Sequence, residues 1–542
     1  MRRSTRSALG RFGPRLRRWS VGAVLLLVIP VGVQAGVAGP AAAAASSHAD
    51  SVRARQGAGD RVTAEVLDAP PRRTAAELEQ LNRLLDREGT GPKGATASVP
   101  DQEPLGPGLA VPKKTDEARP LAATVLRDST IPASAVAGGA SYVSSTQEPS
   151  TDANGPNIFQ VGNWYASRSL DSGATWTYLN PFTLFGSGFC CDQVTQYDAA
   201  TGQQFWLLQY DDHLTIANAP ASGSGAFTNW CSYEITPSWL GLADDNSLDY
   251  NDLTITNGNV NISTNVYPPG GTSAIATGLL RLPKEAMSAC APISYNYLTR
   301  TDDFTFKLTP GSTDTLYWGS NWGQSNGASF RVFAWPENSD TYAWWDRAVA
   351  PYVFMYRDDG QNCASSDGVV TNWCQFADSR VLGAYRAGGA LGFSFNAKQD
   401  AGHPFPYTRI VWFNESDKAY VGSGDQWADW GGIQYMSLAS NSLGQVGSEF
   451  AWGGGTGGTH YYPGSAVNSS GPTTIAIDPN YYLWGEGNTC LSGGIPRWGD
   501  YLTVRTYQTD PTTWIAGGYA IKGGNCGATG AYSEPHNVLF SG

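Results

Sequence analysis

Charge is scarce in this sequence, and positive charge is scarcest. Only 15% of the 542 residues are charged, and 47 acidic residues face 35 basic ones. Seven of the arginines (Arg2, Arg3, Arg6, Arg11, Arg15, Arg17 and Arg18) crowd the very start; without them 28 basic residues stand against 47 acidic ones, a formal charge of −19. So acidic a body argues against nucleic acid and anionic membranes as partners, because phosphate binding needs clustered Lys and Arg. Long apolar runs are missing too. The run from Val21 to Val33 is short for a membrane span, and no comparable run follows it. Five histidines, with no CxxC or HxxxH spacing, give no zinc pattern and no basis for a His-rich redox-metal site. A Walker loop and an H-E-x-x-H sequence are also absent.

What is present is turn-rich and aromatic. The chain carries 64 Gly, 32 Pro and 12% aromatic residues, which suits short strands joined by tight turns. The basic start, the apolar run and the small residues at Ala41–Ala45 read as a signal peptide over 1–45. Residues 46–121 read as a propeptide-like or mostly flexible linker segment. It holds one short amphipathic helix over Thr74–Arg87, with Thr74 and Glu77 in capping-box spacing and Leu78, Leu81, Leu84 and Leu85 on one stripe.

From 122 to 542 short strand-like runs alternate with turn clusters. Many show β-branched or aromatic residues at alternate positions, as half-buried strands do. The runs recur in groups spaced like four-stranded propeller blades, with starts near Glu148, Asp192, Asp252, Asp314, Arg380, Gln434 and Asp500. The expectation is an all-β β-propeller of seven blades, with six as the alternative. All eight cysteines fall after residue 45, which favours disulfides and export. Cys363–Cys374 and Cys490–Cys526 are expected as local bridges. The adjacent Cys190 and Cys191 are expected to bond outward to Cys231 and Cys290, a vicinal bridge being the alternative.

One segment is specific. Ser169-Leu170-Asp171-Ser172-Gly173-Ala174-Thr175-Trp176 fits S-x-D-x-G-x-T-W. In such a hairpin Asp171 accepts backbone N–H bonds of the turn, Gly173 supplies positive φ and Trp176 packs into the sheet. This segment resembles the Asp box of sialidase-like, BNR-repeat secreted propellers. Thr146–Ser150, Cys190–Val194 and Arg497–Tyr501 are similar to blade starts of that family. The resemblance spans most of residues 140–542, and it implies the fold more strongly than the activity. Members include sialidases, exo-arabinanases and other glycoside hydrolases. The sialidase Arg-Ile-Pro motif is altered here: Arg127 is displaced from Ile131-Pro132, and Arg380, Arg409 and Arg497 are axis arginines by position only. Sialidase activity proper is therefore not expected.

Inner strands of a propeller line its axis, so Glu148, Asp192, Asp252 and Asp500 are candidate catalytic carboxylates. One would be protonated as general acid and another would act as base or nucleophile. Arg380, Trp164, His460, Tyr462 and Tyr501 are candidate substrate-binding residues, through guanidinium contacts, ring stacking on sugar C–H faces or polar contacts. Asp244–Asp252 gathers four carboxylates in nine residues and offers a possible structural Ca2+ site, without EF-hand spacing. No cofactor is required by this chemistry. The expected function is a secreted, monomeric glycoside hydrolase acting on a polysaccharide or oligosaccharide. A polysaccharide lyase on the same scaffold, using Tyr or His as base, and a non-catalytic glycan- or protein-binding propeller are the alternatives.

Overall fold

The computed structural model describes residues 47–70, 123–132, 147–323, 326–474, 498–522 and 532–542. The expected signal peptide, the Thr74–Arg87 helix, the Cys490–Cys526 bridge and Arg497 lie outside the described residues. The rest is a seven-bladed β-propeller. Blade one is β5 (Ser150–Asn154), β6 (Asn157–Val161), β7 (Ala166–Ser169) and β8 (Thr177–Leu179). Blade two is β9 (Phe189–Asp198), β10 (Gln203–Tyr210), β11 (Leu214–Pro220) and β12 (Asn229–Ile235). Blade three is β13 (Ser247–Ile255), β14 (Asn259–Tyr267), β15 (Ala276–Pro283) and β16 (Ile293–Arg300). Blade four is β17 (Lys307–Leu308), β18 (Thr315–Ser320), β19 (Ser329–Pro336) and β20 (Thr341–Ala348). Blade five is β21 (Val381–Ala387), β22 (Ala390–Ala397), β23 (Tyr407–Asn414) and β24 (Tyr420–Gln426). Blade six is β25 (Gly431–Ser440), β26 (Val446–Gly454) and β27 (Tyr461–Ser470). Blade seven is β28 (Thr503–Thr506), β29 (Thr513–Lys522), β30 (Tyr532–Ser541) and an early strand, β4 (Thr124–Thr130).

Inner strands β5, β9, β13, β17, β21, β25 and β28 each touch the next, and β28 returns to β5, so the ring closes. The pairing of β4 with β30 ties the start of the propeller to its end. Three more strands, β1 (Ser47–Ser51), β2 (Arg53–Gly57) and β3 (Asp60–Thr63), pair antiparallel with the outer strands of blades four, three and two, and Leu67 bridges to Tyr178 of blade one. The segment expected as a flexible linker thus begins as a belt around four consecutive blades. Strand addition explains it: each outer strand offers an unpaired row of N–H and C=O groups, and the belt satisfies them in turn.

In the inner strands of the blades the expected half-buried alternation gives way to burial on both faces, because each blade is sandwiched between two others, whereas outer strands such as β4 and β20 keep exposed positions. Every residue of β22 is buried. Phe393 and Phe395 meet Phe330 of blade four, and Phe393 also meets Phe413. Small residues occupy the alternate positions: a Cβ on Gly392 would strike the Tyr385 ring, and the Ser394 hydroxyl donates to the Met436 carbonyl at 2.8 Å. Burying one such Phe contributes about 1.5–3 kcal/mol.

The hairpin carrying Asp171 joins β7 to β8. Asp171 Oδ1 accepts from Thr175 N at 2.8 Å, Gly173 has φ 83° and Trp176 is buried. The bridges correct the sequence reading: Cys190 bonds to Cys191, and Cys231 of β12 bonds to Cys290. Cys190 and Cys191 stand at the head of the inner strand β9, whereas Cys231 lies on the outermost strand of the same blade. The blade itself separates the two pairs. Cys363–Cys374 forms as expected.

Candidate active site at the propeller mouth

Five carboxyls and one guanidinium meet at the heads of the inner strands. Glu148 precedes β5, Asp192 and Asp249 lie on β9 and β13, Asp378 and Arg380 precede β21, and Asp500 precedes β28. The ring closure brings residues 352 positions apart into contact: the Asp500 N–H donates to Glu148 Oε1 at 2.8 Å. Gly499 permits this approach, since a Cβ there would collide with the Gln147 carbonyl.

Arg380 is buried and bound from two sides. Its Nε lies 2.8 Å from Asp378, its Nη2 3.2 Å from Asp500, and its guanidinium carbon sits 4.1 Å from the Tyr250 ring centroid. Burial alone would lower its pKa; Asp378 and Asp500 outweigh that and hold it firmly charged. The carboxyls move the other way. Burial, and then the neighbouring Asp192 and Asp500, push Glu148 well above the usual carboxylate range. Burial, and then Asp249, raise Asp192 to about 7. Asp249 and Asp378 are also raised, by burial first, with Arg380 opposing. Glu148 and Asp192 stand close enough to disfavour each other's ionisation, and both are raised. Two packed carboxyls cannot both ionise cheaply, and this pair keeps a proton at neutral pH.

Local backbone aims the rings. The register of β13 breaks between Asp249 and Asp252, with Tyr250 at φ 57°, and that of β25 breaks between Gln434 and Ser437, with Tyr435 at φ 60°. A bulky residue at positive φ costs about 1–3 kcal/mol, and such strain gathers at functional sites. Tyr250 and Tyr435 both stand within electrostatic reach of Asp378, Arg380 and Asp500. Tyr501 is buried beside Asp192 and Glu148; burial first, and then those two carboxyls, drive its hydroxyl well up, and among the described residues that hydroxyl has no hydrogen-bond partner. Asp249 and Tyr250 are the half-buried members, the side on which the cluster meets solvent.

Of the sequence candidates, Glu148, Asp192, Asp500, Arg380 and Tyr501 are brought together. Asp252 is not. The β13 bulge turns it toward blade four, where it pairs with Lys307 Nζ at 2.9 Å and accepts from the Leu308 N–H at 2.8 Å. Trp164 is buried against the Cys190–Cys191 bridge. His460 pairs with Asp367 of the Cys363–Cys374 loop, and this contact draws Asp367 down to about 2. Tyr462 packs half-buried against the aromatic core under that loop. Arg409 is held in blade five by both oxygens of Asp425, each at 2.6 Å. The acids of the Asp244–Asp252 run diverge: Asp244 accepts from the Ser238 N–H, Asp249 joins the mouth and Asp252 pairs with Lys307. Among the described residues, no group of three or more His, Cys, Asp or Glu is placed to hold a metal ion, and no helix is long and apolar enough to cross a membrane.

Asp249, Tyr250, Asp378 and Tyr435 are the members that sequence reasoning missed. The Asp378-x-Arg380 spacing at a blade start was the available signal for one of them; the bulges at Tyr250 and Tyr435 leave no mark in composition.

No family model matches the chain. No curated protein matches it either. Among solved structures it is similar to a polysaccharide lyase (8% identity, 77% of this chain and 99% of that one, TM-score 0.37). It is also similar to a Dyadobacter fermentans protein of unknown function (9%, 77% and 99%, TM-score 0.35). A third is an α-L-arabinofuranosidase of Fusarium graminearum in complex with an iminosugar inhibitor (8%, 72% and 97%, TM-score 0.34).

Proposed function

We propose that this chain is an exported carbohydrate-active enzyme, a glycoside hydrolase whose acid is the Glu148–Asp192 pair. One observation carries the reading: carboxyls from five blade starts converge on Arg380, and one pair among them retains a proton at neutral pH. Glycosidic cleavage needs a protonated carboxyl at the leaving oxygen and an ionised one across the sugar ring. Glu148 supplies the first. Asp249, half-buried and bonded by the Tyr250 N–H, supplies the second, as base toward water or as nucleophile. Asp378 and Asp500 keep Arg380 charged and fixed, so its field steadies the ionised carboxylate. Three disulfides among the described residues accord with an oxidising, extracellular setting.

Incubating the purified chain with a panel of polysaccharides and following new reducing ends tests this. Glu148→Gln and Asp249→Asn are each expected to lower turnover by a factor of at least about 100. Full activity in both variants overturns the assignment. Tyr501, a buried hydroxyl without a partner among the described residues, favours a lyase as second reading; new unsaturated ends, lost in Tyr501→Phe, would establish it.

A further inference from the structure

Beneath the acid cluster the propeller axis holds a small cavity of about 30 Å³. Val194, Asp252, Lys307, Leu382, Ser437 and Arg505 line it, one each from β9, β13, β17, β21, β25 and β28. Tyr250 and Tyr501 form the wall it shares with the mouth. Among the described residues its charged lining is two cations, Lys307 and Arg505, against one carboxylate, Asp252. That carboxylate is already committed: Oδ1 accepts from Lys307 Nζ at 2.9 Å and Oδ2 from the Leu308 N–H at 2.8 Å. Arg505 is left over.

Arg505 is only 6% exposed. Of the five N–H donors of a guanidinium, its Nε alone has an acceptor among the described residues, the Thr195 carbonyl at 2.9 Å. Asp152 and Asp252 act on it through space, without a hydrogen bond. Asp152 turns its two oxygens to the Ala153 and Tyr197 N–H groups, each at 2.8 Å. Burial also pushes Asp152 up to about 7, so near neutral pH it is only partly ionised. The shortfall shows in Arg505 itself. Burial lowers its pKa and the two acids do not make up the difference, whereas at Arg380 two carboxylates in contact reverse the balance. A buried cation with unmatched donors is strongly disfavoured until a counter-charge reaches it. Water would satisfy the N–H groups and leave the charge. We infer that the axial cavity binds a small monatomic anion, chloride, on the Nη groups of Arg505. Its size sets the class, since it has room for roughly two water-sized spheres and none for a bulky organic or oxygen-rich anion.

Two measurements on the full chain test this. Crystals soaked in sodium bromide are expected to show an anomalous peak in the cavity, within hydrogen-bond reach of Arg505 Nη. Water alone in the cavity, or bromide at the protein surface only, overturns the inference. The second is urea unfolding at fixed ionic strength, with chloride exchanged for isethionate, which the cavity is too small to admit. A ligand that binds only the native state adds about 1.4 kcal/mol for each tenfold rise in its concentration once the site fills. The parent is expected to gain stability with chloride up to that slope; indifference to chloride overturns the site. Arg505→Gln is expected to unfold at one midpoint in both salts, and a variant as chloride-dependent as the parent overturns the assignment to Arg505. Should that variant fail to fold, the bromide peak in the parent decides by itself.

Discussion

Replacing Asp192 by Asn tests the electrostatics of the mouth through stability, with no substrate needed. In the folded protein this carboxyl is held at about 7, against an ordinary value of 3.8. A raised acid binds its proton more tightly in the native state, so it lowers stability as pH climbs from the unfolded value through the folded one. Three units at about 1.4 kcal/mol each come to about 4 kcal/mol at a pH of about 8. Asparagine escapes that cost and keeps an acceptor oxygen facing Glu148. The variant is therefore expected to be more stable than the parent by about 4 kcal/mol at a pH of about 8, and within about 1 kcal/mol of it at a pH of about 4. Urea unfolding followed by tryptophan fluorescence across that range reads this pH dependence. A variant that is less stable by one constant amount at every pH refutes the reasoning.

Other parts of the molecule yield separate expectations. Asp252→Asn removes the Lys307 pair that joins blades three and four; it should cost about 1–3 kcal/mol in urea unfolding while leaving polysaccharide turnover at the parental level. Replacing Cys231 and Cys290 by Ser opens a bridge spanning 59 residues; the loss is expected at about 4 kcal/mol by the same unfolding assay, and a loss under about 1 kcal/mol contradicts a role for that bridge. Deleting the belt, residues 47–68, uncovers the outer edges of β12, β16 and β20. Sedimentation should then show concentration-dependent self-association, because bare strand edges pair with other chains; a stable monomer at all concentrations contradicts it.

The blade starts were legible to the extent that chemistry marked them. Glu148, Asp192, Arg380 and Asp500 stand at the heads of inner strands because polar residues must break each apolar run just where the chain turns into the axis. Asp314 was misplaced by one strand: β17 has only two residues, so the visible run Thr315–Ser320 is the second strand of its blade. Asp252 is directed to Lys307 and not to the cluster for a subtler reason. A β-bulge shifts the alternation by one, and nothing in Asp249-Tyr250-Asn251-Asp252 announces it. The belt was unreadable because its strands are exposed and polar, and their pairing is supplied by partners more than a hundred residues away. Adjacency likewise misled the cysteine reading, since the partner of each cysteine depends on which side of blade two it occupies.

The proposed catalysis needs a proton held between Glu148 and Asp192, and infrared spectroscopy sees it directly. At neutral pH the parent protein should show the C=O stretch of protonated carboxyls, the buried Glu449 contributing alongside the Glu148–Asp192 pair, and Glu148→Gln should lose part of that band. An identical band in parent and variant would contradict the account.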